Sequence, residues 1–172
     1  MTSYLSLFSG LATALGSFQA IAPPLAGKPS QLPVKAGPVA AYQLPGGLRA
    51  QVHGSDVVIT NSAGAVVARN SKLIRKEDES QFCLSEGFER IVSKGDYFTI
   101  EQQTCGGWFF IKEYITFRYI KASGKIVLHK YGRVPTDRRD LNKVMPAELY
   151  TAKQLGQRPF AQVTKASLDA VE

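Results

Sequence analysis

From Trp108 to Ile120 the chain alternates strictly. Phe109, Ile111, Glu113, Ile115, Phe117 and Tyr119 fall on one parity, Trp108, Phe110, Lys112, Tyr114, Thr116, Arg118 and Ile120 on the other. The first set is apolar except for one Glu, and the second is amphipathic. Period-2 alternation in β-branched and aromatic residues predicts a long strand with one face in a core. Lys121-Ala-Ser-Gly124 supplies turn chemistry, and Ile126 to Tyr131 returns as a second strand, so the stretch reads as a hairpin.

The same pattern recurs upstream in shorter pieces. Ala40 to Leu44 suggests a short edge strand ending at Pro45-Gly46-Gly47. Leu48 to His53 and Asp56 to Thr60 are joined at Gly54-Ser55, and Ala65 to Arg69 follows the turn Asn61 to Gly64. Phe88 to Ser93 and Tyr97 to Gln103 flank Lys94-Gly95-Asp96, and Thr104 to Gly107 is a turn into the central strand. Beyond Val134 the alternation stops. Pro146 to Leu149 predicts one helical turn, Phe160 to Thr164 a last strand and Lys165 to Val171 a short helix. Strands this frequent, with little helix, predict a mainly β fold: an antiparallel meander, sandwich or open barrel around a long central hairpin.

The N-terminal quarter differs in kind. Tyr4 to Ile21 is apolar and rich in small residues, with no charge before Lys28. That pattern fits a secretory signal better than a stable membrane span, although no Lys or Arg precedes the apolar core. Six prolines follow between Pro23 and Pro45. They remove backbone donors and disfavour helix, which predicts an extended linker. The expected organisation is a signal over residues 1–26, a Pro-rich linker over 27–46 and one β-rich domain over 47–172. The expected location is the periplasm or the medium.

Charge sharpens this picture. The 172-residue chain carries a net +7, and between Arg118 and Lys143 eight Lys/Arg stand against two Asp, a local +6. A basic surface suits an acidic partner, while lysines on exposed strands also simply block edge pairing. Trp108, Phe110 and Tyr114 share their parity with Arg118, and Lys130, Arg133, Arg138 and Arg139 follow in the basic stretch. Trp, Tyr and Arg are the residues that anchor protein interfaces. These eight are the candidate binding residues, with a second core layer as the competing reading. Stacking of nucleic-acid bases or sugars is a weaker alternative.

Candidate chemistry is sparse. No G-x-S-x-G, H-E-x-x-H or P-loop is present. Two Cys and two His lack the paired spacing of a zinc site, and no cofactor is expected. Cys83 and Cys105 are 22 positions apart, and in an exported chain an even count predicts a disulfide. Glu101 and Glu113 interrupt strand faces, and with His129 they define the alternative to a binding protein, a carbohydrate-active or other hydrolase.

The blocks GDYFTIEQQ (95–103), EYITFRY (113–119) and LHKYG (128–132) resemble strand blocks of uncharacterised bacterial secreted or periplasmic β-rich proteins. The resemblance implies export and a β fold and carries no activity. By analogy with small periplasmic inhibitors and immunity proteins, it extends to a non-enzymatic domain that binds a protein, such as a secreted or cell-wall-lytic enzyme.

Overall fold

The structure, a computed structural model, describes residues 40–75 and 87–171. Among the described residues, nine strands form two antiparallel meanders. The first holds β1 (Ala41–Gln43), β2 (Arg49–His53), β3 (Asp56–Thr60) and β4 (Val66–Asn70), in that spatial order. The second holds β5 (Gly87–Lys94), β6 (Tyr97–Gly106), β7 (Phe109–Ile120), β8 (Lys125–Asp137) and β9 (Glu148–Thr151), again in sequence order. Both sheets are open, so the antiparallel β class expected from the alternation is what the chain adopts.

The alternation of β7 does what its chemistry demands. Ile111, Glu113, Ile115 and Phe117 are buried, while Lys112 and Arg118 are exposed. Across the ladder, Phe98 and Ile100 of β6 oppose Phe117 and Ile115, and both are buried too. Residues opposed in an antiparallel ladder point to the same side, so these four define the inner face. Inner residues of the first sheet, Ala50, Val57 and Ile59, join them in one core cluster. Phe98, Phe117 and Phe160 fill its centre, with ring centroids 4.9–6.3 Å apart.

Gly46 shows how tightly the N-terminal turn is seated. Its φ is +72°, and a Cβ there would be driven into the Tyr119 ring. Only glycine meets both requirements without strain.

Four local expectations are corrected. The turn after β6 is Gly107–Trp108, because β6 continues to Gly106. The return strand runs to Asp137, six residues beyond Tyr131, and pairs with β7 along its length. Glu148–Thr151 is an edge strand on β8, not a helical turn. Phe160–Gln162 is a 3-10 turn, because Phe160 packs against the stacked Phe98–Phe117 pair and the chain must curl to deliver it. Two short helices complete the chain, α1 (Ala152–Leu155) and α2 (Lys165–Asp169). α2 starts with a reciprocal cap in which Ser167 N donates to Thr164 Oγ1 and Thr164 N donates to Ser167 Oγ, each at 3.1 Å.

Candidate functional site

One end of the five-stranded sheet forms a tip. It is built from the turn Gly107–Trp108 and from the loop that leaves β8. Asp137 N donates to Lys143 O at 3.1 Å and Met145 N to Pro135 O at 2.8 Å, so the loop folds back on itself as an ordered finger. Arg138 N donates to Trp108 O at 2.9 Å and ties this finger to the turn.

Side chains at the tip interleave cations and rings. The Arg138 guanidinium lies 5.2 Å from the Phe110 ring centroid, and that of Arg139 lies 5.6 Å from the Trp108 centroid. Both distances are within cation–π range, worth about 0.5–1 kcal/mol at exposed sites. Arg139 also grips Asp137 through Nε at 3.2 Å and Nη2 at 3.1 Å, with Lys143 further out at 3.9 Å. The Arg139 hydrogen bonds hold the Asp137 carboxyl below the usual carboxylate range. Trp108 is nevertheless 66% exposed, and Leu141 and Val144 of the finger are 65% and 58% exposed. Three large apolar side chains therefore stand in water among arginines held in place.

The eight candidate residues separate into four places. Trp108, Phe110, Arg138 and Arg139 converge at the tip. Tyr114 and Lys130 lie on the outer face of β7 and β8 and line a groove of about 230 Å³. Arg118 stacks over the Tyr97 ring at 5.9 Å, toward the opposite end of the sheet. Arg133 opposes Glu113 and so shares the inner face, where Glu148 holds it at 3.3 Å. Sequence reasoning missed Leu141 and Val144. The available signal was two aliphatic residues in an otherwise polar loop.

Glu113, in turn, lies in the core. Gln102 Nε2 and Tyr131 OH each donate to it at 2.9 Å, and Lys165 Nζ approaches Oε1 at 2.8 Å. Lys165 also reaches Tyr131 OH at 3.2 Å and pairs with Asp169, which Arg75 holds at 3.2 Å. Burial pushes the Tyr131 hydroxyl far above its ordinary range, with the Glu113 charge adding to the shift. A phenol so protonated donates and does not act as a base. The network fastens α2 to the sheet. It was missed because Glu113 and Lys165 are remote in sequence, and only a lone Glu on an apolar parity hinted at it.

Glu101, Glu113 and His129, the residues of the alternative hydrolytic reading, lie apart from one another. Glu101 opposes Tyr114 while Glu113 opposes Arg133, so the two carboxylates sit on opposite faces of the sheet. His129 packs on Tyr97 at 4.8 Å, four residues along β6 from Glu101, or about 13 Å at strand spacing. Among the described residues no group of three His, Cys, Asp or Glu could hold a metal, and no helix is long and apolar enough to cross a membrane. The described residues include no free cysteine. Cys105 lies on β6 opposite Phe110, and Cys83, like the expected signal and most of the linker, lies outside the described residues.

Compared with known proteins, the chain matches no family model, no curated protein and no solved structure.

Proposed function

We propose that the chain is a non-enzymatic protein-binding domain whose contact surface is the tip. One observation carries this reading: Trp108 is 66% exposed while the Arg139 guanidinium stacks on it and is itself locked by Asp137. A preorganised Trp–Arg pair loses little freedom on binding. Trp108, Leu141 and Val144 supply the apolar centre and the cations the rim, which is the composition of an interface hot spot. The local +6 suits an acidic partner and would steer its approach. Export follows from the apolar N-terminal stretch, and a Cys83–Cys105 disulfide belongs with it. In that setting an inhibitor or immunity protein acting on a secreted or cell-wall-lytic enzyme is the fitting class.

The test uses the mature protein as bait on periplasmic and culture-medium extracts, beside a Trp108→Ala/Arg138→Ser/Arg139→Ser variant that stays folded. Wild type should retain an acidic protein that the variant releases. With that partner purified, Arg138→Ser/Arg139→Ser should slow association by about tenfold and flatten its salt dependence. A partner held equally by both baits, with the same rate and salt slope, removes the tip from recognition.

A further inference from the structure

Toward the opposite end of the same sheet, the outer face carries a second feature that does not depend on the tip. The ladder between β7 and β8 slips at one place. Thr116 opposes Lys130 and Phe117 opposes Leu128, so His129 is an extra, bulged residue. Leu128 and Tyr131 are both buried in the core with two residues between them. Strict alternation would send His129 and Lys130 to opposite sides. The bulge directs both outward, and bulges are a common device for re-aiming side chains beside a site.

Both residues line an open cavity of about 610 Å³, together with Lys94, Tyr97, Thr99 and Thr116. Two rings form part of its wall, Tyr97 and His129, with centroids 4.8 Å apart. The Thr99 and Thr116 hydroxyls are 3.0 Å apart. A pair of hydroxyls uses one proton between them, so one O–H remains to donate to a ligand. Neither Lys94 nor Lys130 has a carboxylate partner among the described residues. The acid in the lining, Asp96, is engaged by Lys121 at 2.9 Å. Burial, with Lys130 and Arg118 nearby, lowers the His129 pKa, so the ring is neutral at pH 7 and can give or accept a hydrogen bond.

We propose that this cavity binds a small organic oxyanion, with its anionic head between Lys94 and Lys130 and its apolar body against the Tyr97 and His129 rings. The two ammonium groups supply charge, the threonine pair supplies a neutral donor, and the rings supply contact area. This division between a few convergent polar groups and an apolar wall is that of small-molecule sites. The cavity and the tip are about 20 Å apart, counting six residues of β7 from Phe110 to Thr116 at strand spacing, so each can be tested without the other.

The experiment is an NMR titration of the isotope-labelled mature protein with phenyl phosphate and, separately, benzoate. Saturable shifts at Tyr97, Thr116 and His129 with either probe support the site, and the tighter probe identifies the preferred head. Lys94→Ser/Lys130→Ser should weaken that probe by about tenfold or more. Thr116→Val should weaken it by a smaller factor. Lys125→Ser/Lys153→Ser removes the same charge elsewhere and should change affinity by less than about twofold. Absence of saturation with both probes up to about 10 mM overturns the proposal, since a weaker affinity carries no useful selectivity. Equal weakening by the two lysine pairs overturns it as well, because the shifts then report only net charge.

Discussion

The tip and the α2 anchor use the same side-chain types for opposite ends. Each contains an aspartate held by arginine, and each has a cation against an aromatic ring: Arg139 over Trp108 at the tip, Lys165 over Tyr131 at 5.5 Å in the core. The difference is water. At the tip the ring is mostly exposed, and solvent screens the Arg139 and Lys143 charges around the buried Asp137 carboxylate. In the core Glu113 and Tyr131 are almost fully enclosed, and each removed partner leaves a polar atom that water cannot reach. Exposed ion pairs contribute about 0–1 kcal/mol to folding, while breaking a buried pair costs several times that. The tip is therefore free to serve recognition, whereas the core network is committed to holding the chain together.

The largest break in this comparison is Glu113→Leu. It takes the acceptor from Tyr131 OH, leaves Gln102 Nε2 with only the Leu73 carbonyl at 3.5 Å and leaves the buried Lys165 with Asp169 as its one carboxylate, and it should destabilise by about 3–5 kcal/mol in urea unfolding. Adding Lys165→Met should recover roughly half of that loss, because the buried ammonium that has lost its Glu113 partner is then gone. A loss under about 1 kcal/mol for the single variant would place the network in solvent after all. A smaller effect is expected at the tip, where Trp108→Ala should change stability by no more than about 1 kcal/mol. A loss of about 3–5 kcal/mol would instead mark Trp108 as a core residue.

The smallest effect concerns pH. The Asp137 pKa is lowered in the folded protein, chiefly by the Arg139 hydrogen bonds. Its contribution to stability is thus fully present above the ordinary carboxylate range and is lost as pH falls through the lowered folded value. Carboxyl NMR on Arg139→Ser should find the Asp137 midpoint moved up toward the ordinary value, with global unfolding at pH 7 nearly unchanged. An unmoved midpoint would show that Arg139 does not set it.

Much of this architecture is legible in the sequence, and the illegible parts have physical causes. β3 is read to the residue, and β6, β7 and β8 are read as strands, because half-buried strands write their faces as alternation. β9 is not, since Glu148–Thr151 is an edge strand exposed at three of four positions and so leaves no alternating trace. Phe160 looks like a strand residue by composition, yet its conformation is dictated by the two phenylalanines it packs against. Trp108 continues the β7 parity on paper, but the turn takes it and turns a candidate core residue into the most exposed large apolar side chain of the described residues. The tip needed both the turn and the finger to be seen together, which no local pattern encodes.

The meander order of both sheets also carries a kinetic consequence. Within each sheet every strand pairs with its neighbour in sequence, so the pairings form locally along the chain, and the low sequence separation favours rapid formation for a β protein. The long-range ties come from the C-terminal segment. Asn70 Nδ2 donates to the carbonyls of Phe160 at 2.6 Å and Val163 at 2.8 Å, and Lys165 N donates to Lys72 O at 2.8 Å. These contacts span about ninety residues of chain and must wait until both sheets exist. The segment from Phe160 to Asp169 is then the clasp that closes last, and its release is the natural first step of unfolding.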